Sequence, residues 1–303
     1  MRHTDVGETR PRIAVVTTTS GRDAHLHRQR VGLTHCPPDL HVIVGMGEQP
    51  ALTPIPGGPP TAVLRVPVPS TGLPLAAARN AGAAAAIDAG AEVLVLLDVD
   101  CIPDPAMLGH YARAAETIAG PALLCGPVAY LPPAPPEGYP DTGLAELARP
   151  HPARPAPPDG QLWAEDRYEL FWSLSFAVRP TTWVELGGFC EAYTGYGGED
   201  TDLACTAANR DITLYWVGGA LAFHQHHPPT RTTPGRVAEV VRNARLFRQR
   251  WGWWPMGGWL AEMAEDGLVE FDPDGELLRV RPGAARADRT GTTSSTIVGT
   301  RLT

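Results

Sequence analysis

The sequence predicts an α/β protein with a mostly parallel central sheet flanked by helices, and three observations carry that expectation. Aliphatic runs such as residues 13–16 (IAVV) and 93–97 (VLVLL) lack apolar–polar alternation, so they read as strands covered on both faces. An alanine-rich stretch, residues 74–89, has helical composition and is stopped by Gly90. Strand-like runs alternate with such segments and end in small polar or acidic residues, where a doubly wound sheet gathers its ligands.

Taken in order, residues 1–11 are polar and are expected to form a flexible arm. The first strand (13–16) leads into Thr17, Thr18, Thr19, Ser20 and Gly21, a small polar loop. "DLHVIVGMGE" (39–48) and "TAVLRVPVPS" (61–70) supply a second and third strand, and the helix of 74–89 follows. "EVLVLLDVDCIP" (92–103) and "ALLCGPVAYL" (122–131) are further strands. Residues 132–160 are crowded with proline and are expected to form a long loop, mobile or substrate-facing. "LFWSLSFAVRPTTWVELGGF" (170–189) pairs a strand with a helix begun near Pro180. "YGGEDTDLACTAANRD" (196–211) is an acidic turn into a helix, and "ITLYWVGGALAFHQHHPP" (212–229) a strand with three histidines at its end. In residues 234–251, Val237, Val240, Val241, Ala244, Phe247 and Trp251 share one helical face, with arginines opposite. "LVEFDPDGELLRVR" (268–281) reads as a hairpin turning at DPDG. The expected organisation is one domain over 12–262, a hairpin extension over 263–283 and a disordered Ser/Thr-rich tail over 284–303.

At 303 residues and 43% hydrophobic content the chain has ample material for a core. Every positive side chain is arginine, and a net charge of −8 with no basic stripe argues against a nucleic-acid partner. The five cysteines are scattered without CxxC spacing, which fits a reducing cytoplasm better than a disulfide or zinc scaffold. No stretch reaches the ~20 apolar residues of a membrane span, although peripheral membrane contact stays open. A cytoplasmic location is the expectation.

Three acidic or imidazole-bearing segments carry the chemistry. Asp98 and Asp100 sit one residue apart at the end of a buried strand. On a strand such residues point the same way, about 6–7 Å apart, so they can aim two hard oxygen ligands at one cation. A solvated loop is the plainer alternative. In "GYGGEDTDL", Glu199, Asp200 and Asp202 open a helix, where acids also favour the macrodipole. Two adjacent acids cannot both cap one helix, which leaves one free as a general base. In "AFHQHHPP", His224, His226 and His227 end a strand; period-2 alternation places His224 and His226 on one face, so one of them is expected to reach a metal.

In this order, "ARNAG", "DVD", "GGF", "GYGGEDTDL" and "AFHQHHPP" resemble the GT-A nucleotide-sugar glycosyltransferases of family 2, over roughly residues 12–229. The motifs are most similar to bacterial chondroitin- and hyaluronan-polymerase domains and to β-1,4-galactosyltransferases. The resemblance implies a GT-A (Rossmann-like nucleotide-sugar-binding) fold and a set of roles. Asp98 and Asp100 match the D-x-D that binds metal and ribose, with Asp100 favoured as the direct ligand and His224 completing the site for Mn²⁺ or Mg²⁺. Arg79 and Asn80 match residues that lie along the nucleotide, and Thr17 to Thr19 the loop that contacts the base. Asp200 matches the catalytic base and Glu199 its hydroxyl-holding neighbour. Two departures stand out: Tyr196 replaces a tryptophan of several relatives, and "VGMGE" lacks an aspartate that many relatives place against uracil.

The implied activity is inverting transfer of a hexose, galactose or N-acetylgalactosamine favoured, from a UDP-sugar to a carbohydrate or other hydroxyl acceptor. "HPPTRTTPG" (227–235) reads either as a lid bringing Arg231 to a phosphate or as an ordinary loop leading into a helix. In "WGWWPMGGW", Trp253 and Trp254 read as an acceptor platform beside Tyr196, or the whole cluster as an aromatic core. The rival functions are a sugar nucleotidyltransferase, which would usually carry a glycine-rich basic loop after its first strand where "TTTSGR" supplies one glycine and Arg22, and a non-catalytic nucleotide-sugar-binding scaffold.

Overall fold

The computed structural model describes residues 10–227 and 233–281. Most of the expected arm (1–11), the tail over 284–303 and Arg231 lie outside these residues. Eight strands form the central sheet: β1 (Ile13–Thr19), β2 (Leu40–Met46), β3 (Thr61–Val66), β4 (Val93–Leu97), β6 (Ala122–Cys125), β9 (Leu162–Glu165), β10 (Ser175–Val178) and β11 (Thr213–Val217). Their order is β3-β2-β1-β4-β10-β6-β11-β9. β1 to β4, β6 and β11 all point one way, while β10 and β9 run against their neighbours.

The lack of alternation in the aliphatic runs has the predicted consequence. Along β1, Ala14 and Val16 enter one core layer, while Ile13 and Val15 enter the layer on the other face. Along β4, Leu94 and Leu96 divide from Val93, Val95 and Leu97 in the same manner. α2 (Leu75–Asp88), α5 (Pro180–Leu186) and α6 (Glu199–Ala208) supply side chains to the first layer, α3 (Met107–Thr117) to the second. α2 approaches the sheet closely because Gly82 has no side chain: a Cβ there would stand 2.4 Å from Val16 Cγ1 and 3.0 Å from Val44 Cγ2.

Several expectations need correction. Thr17, Thr18 and Thr19 belong to β1 and are buried. α1 (Asp23–Gly32) has no apolar stripe to announce it, since its buried positions are Leu26, Gln29 and Gly32. α3, a helix not anticipated between the expected strands, buries seven residues, of which four are alanine or histidine. The runs 122–131 and 212–229 are not single strands. Each breaks at a glycine-containing corner and enters a second sheet, β5 (Cys101–Pro103), β12 (Ala222–His224), β7 (Val128–Tyr130) and β8 (Arg149–Pro150), in that order. The corner at Gly126 must lack a side chain, because a Cβ there would lie 2.1 Å from the Ala220 carbonyl oxygen.

The proline-rich segment is more structured than expected. It holds α4 (Leu144–Leu147) and β8, which pairs with β7 at the sheet edge where proline is tolerated. Tyr139 donates its hydroxyl to the Pro132 carbonyl and accepts from the His226 backbone N–H, and Asp141 pairs with Arg28 at 3.3 Å. The C-terminal hairpin is present as β13 (Val269–Phe271) and β14 (Leu278–Val280). It packs with α7 (Pro234–Trp251) and α8 (Gly257–Glu265) in a separate apolar cluster, so the expected boundary at 262 falls within α8. Among the described residues no helix is long and apolar enough to cross a membrane.

The packing makes opposite predictions for two helical glycines. Gly82→Val should destabilise by about 1–3 kcal/mol through overpacking against Val16 and Val44. Gly109→Ala, on the exposed side of α3, should stabilise by about 0.5–1 kcal/mol. Urea unfolding of both variants checks the signs.

Candidate functional site

β4 ends at Leu97, and the aspartates follow in a turn rather than on the strand, closed by the Cys101 N–H donating to the Asp98 carbonyl at 2.9 Å. A fully buried glutamine fixes this turn. The Gln29 amide donates to the Asp98 carbonyl at 2.7 Å and to the Cys101 carbonyl at 3.0 Å. Its oxygen accepts from the Thr17 hydroxyl at 2.8 Å, and that hydroxyl also meets His41 Nε2 at 3.0 Å. Thr17 is therefore occupied within the core, below the site. Burial pushes the His41 imidazole down to about 3, so it serves this network uncharged.

The two aspartates have different partners. Asp98 Oδ1 accepts from Arg79 Nη2 at 3.0 Å. Asp100 Oδ2 lies 2.9 Å from Arg22 Nη1 and 3.3 Å from His227 Nε2, while Oδ1 lies 3.6 Å from His224 Nε2 and has no hydrogen bond. Antiparallel pairing of β5 with β12 sets His224 opposite Cys101 and so beside Asp100, and the Gln225 N–H donates to the Asp100 carbonyl at 2.7 Å. β12 stops at His224, so the period-2 expectation no longer holds beyond it. His227 returns to Asp100, and His226 is exposed with its N–H on Tyr139.

Ligand atoms of Asp100, His224 and His227 all lie within 4.8 Å of one another, a group that could hold a metal ion. The chemistry of the three fits a cation. Burial holds the His224 imidazole below its usual range, leaving a lone pair to donate. Burial pushes the Asp100 carboxyl up, but His227, His224 and Arg22 together bring it below the ordinary range, so it is an anion.

On the Asp98 side of the turn stands Arg79, buried on α2. Its Nη1 donates to Glu199 Oε1 at 3.1 Å, and its guanidinium lies over the Phe189 ring at 5.1 Å. One side chain thus ties the aspartate turn to the start of α6. Burial and repulsion from Asp100 and Glu199 hold Asp98 up at about 6 despite Arg79. Glu199 Oε2 is buried without a hydrogen bond. Asp200 is half-buried beside it, and desolvation followed by the Glu199 charge pushes its carboxyl up to about 7. The third acid, Asp202, is spent on structure: Tyr193, Arg250 and Trp251 all donate to it.

The remaining expected residues are placed as follows. Thr19 is buried with an unpartnered hydroxyl. Asn80 is engaged with the GGF loop, exchanging hydrogen bonds with the Phe189 backbone and donating to Glu191. Tyr196 is 40% exposed, stacks on Trp259 at 5.5 Å and lies under the Arg236 guanidinium at 4.6 Å. Trp253 is 43% exposed against Phe247. Trp254 is committed to packing, with Phe271 at its edge, Arg248 over its ring and its N–H on the Gly275 carbonyl. Sequence reasoning missed Gln29 and Trp259 as site residues and weighed Arg22 only for a rival function. A polar residue within an unannounced helix gives no signal of its own.

No protein-family model matches the sequence, and no curated protein matches it. Solved structures do match in fold. S. aureus TarS superposes with a TM-score of 0.50 at 11% identity, over 79% of this chain and 39% of that one. GalNAc-T7, solved with UDP, GalNAc and Mn²⁺, superposes at 0.49 and 15% identity, over 86% and 57%. The chain therefore spans little more than half of the one and well under half of the other. The fold is GT-A: an α/β architecture with a central sheet flanked by helices.

Gln29→Leu would strand two turn carbonyls, with an expected loss of about 2–4 kcal/mol of stability. If the turn it holds presents Asp100 to a cation, Mn²⁺ affinity should also fall about 10–100-fold. Calorimetric titration with Mn²⁺ separates the roles, since unchanged affinity would make Gln29 a core residue only.

Proposed function

We propose that the protein is a metal-dependent inverting glycosyltransferase of the family 2 type, carrying a hexose from a nucleotide diphosphate sugar to an acceptor hydroxyl. One observation carries this reading: buried Arg79 joins the Asp98–Asp100 turn to Glu199, beside Asp200, at the carboxyl edge of a GT-A sheet. A cation site and a raised carboxylate on opposite sides of one arginine suit a donor diphosphate and an acceptor hydroxyl respectively. The preference for UDP-galactose or UDP-N-acetylgalactosamine rests on the motif resemblance.

Asp100, His224 and His227 would hold the metal, and a donor set of one oxygen and two nitrogens suits Mn²⁺ better than Mg²⁺. When bound, the metal neutralises charge developing on the leaving diphosphate. Arg79 bridges Asp98 and Glu199 and offsets their mutual repulsion at the same edge. Asp200 accepts the proton of the acceptor hydroxyl as its oxygen bonds to the anomeric carbon. The bond from that carbon to the phosphate oxygen breaks, and the nucleoside diphosphate leaves with its electron pair. A single displacement of this kind inverts the anomer. A carboxyl near 7 is matched to the task, since about half of it is ionised at neutral pH and its anion is more basic than an ordinary aspartate. Glu199 Oε2, lacking a partner, is the acceptor for a sugar hydroxyl. Tyr196 and Trp253, both exposed aromatic rings, would serve the acceptor.

Arg22, following β1 and paired with Asp100, favours nucleotidyl transfer as a second reading. The products distinguish them: nucleoside diphosphate for the first, pyrophosphate for the second.

Asp200→Asn tests the base. Transfer with UDP-sugars and Mn²⁺ should fall at least about 10²-fold while UDP binding persists, and near-normal turnover would refute the assignment. In wild type the acid limb of kcat/KM should lie near pH 7, set by burial and Glu199 against Arg79. The raised group also costs stability, because the unfolded carboxyl ionises above about 3.8 while the folded one holds its proton until about 7. That cost grows as pH rises and is complete above 7. The Tm gain of Asp200→Asn should therefore be larger at pH 8 than at pH 5.

A further inference from the structure

Two arginines face the acidic turn, and they are held differently. The Arg79 side chain is 6% exposed and bonded to two carboxylates. The Arg22 side chain is 35% exposed, and among the described residues its hydrogen bond is to Asp100 alone. It can rotate into solvent without unpacking the core. Gly21, just before it, sits at a φ of +62° with nothing within 4 Å of where a Cβ would be, so the approach is open.

Asp100 is also the carboxylate on which His224 and His227 converge. Its Oδ2 is shared by Arg22 at 2.9 Å and His227 at 3.3 Å, while Oδ1 is left unbonded. A single negative charge cannot satisfy both a guanidinium in direct contact and a divalent ion between it and the two imidazoles. Like charges at that range repel strongly where water is scarce.

We infer that Arg22 exchanges with the metal at Asp100: it occupies the carboxylate while the cation site is empty and transfers to the diphosphate of the nucleotide when metal and nucleotide bind. The inference rests on the proposed metal–nucleotide reading of the site. A guanidinium released beside a diphosphate finds a planar, bidentate match there that an ammonium would not offer. The exchange gives ordered binding a physical basis, since metal alone must displace a cation and metal with nucleotide offers that cation a new anion.

The test is calorimetric titration of wild type, Arg22→Gln, Arg22→Lys and Asp100→Asn, each first shown to melt cooperatively. Titrated with Mn²⁺ alone, Arg22→Gln should bind about fivefold tighter than wild type, the order of a partly exposed ion pair, and Arg22→Lys close to wild type. Titrated with UDP at saturating Mn²⁺, Arg22→Gln should bind about tenfold weaker, the order of a charged hydrogen bond. Unchanged or weaker Mn²⁺ binding by Arg22→Gln overturns the exchange, and so does unaltered UDP affinity. If Asp100→Asn binds Mn²⁺ as wild type does, the metal reading fails and takes this inference with it. If that variant loses Mn²⁺ while Arg22→Gln is unchanged, the inference alone fails.

Discussion

A guanidinium closed off from water needs anions around it, and Arg79 has two, Asp98 and Glu199, drawn from segments a hundred residues apart. Burial works against its charge, and the two carboxylates more than reverse that, so its pKa lies above the ordinary value. The converse constraint is as strong. Without Arg79, the acids at the carboxyl edge of the sheet would repel one another and the turn after β4 would lose its link to α6. The charge of Asp98 and the bonding of Glu199 follow from where this one cation sits, and the same cation opposes the rise that burial and Glu199 impose on the Asp200 carboxyl.

The loop that leads into Glu199 and Asp200 is positioned from outside the sheet. Asn243 on α7 donates to the Thr194 and Tyr196 carbonyls, Glu239 accepts from the Tyr196 N–H, and Asp202 gathers Arg250 and Trp251. α7 is the amphipathic helix with arginines on its polar side. Some of those arginines are therefore fasteners, since Arg250 reaches Asp202 and Arg242 the Thr194 carbonyl. Proposed catalysis at Asp200 therefore depends on α7, which fastens the segment leading into α6.

How far the sequence could be read depends on what each signal measures. Buried strands announced themselves because a fully covered strand has no polar face, and β1, β2 and β4 were legible for that reason. The acids and the histidines were legible because charged or imidazole groups at the end of an apolar run are physically unusual, whereas Arg79, inside an alanine-rich helix, was reached only through the motif resemblance. What escaped was tertiary. The breaks at Gly126 and at Gly218–Gly219 look like continuous strand in one dimension, and only the crossing of two backbones turns them into corners. His227 could not be chosen over His226 without knowing that β12 stops at His224. Gln29 and Trp259 matter through partners distant in sequence. Trp254, expected at an acceptor surface, packs instead on the hairpin, a choice that composition cannot make.

The central claim is that the edge built on Arg79 is a metal–diphosphate site. Its most direct test is an anomalous difference map from crystals grown with Mn²⁺ and UDP. One strong manganese peak is expected among Asp100, His224 and His227, with diphosphate density reaching from it toward Arg79. A manganese peak elsewhere, or UDP bound away from the carboxyl edge of the sheet, would contradict it.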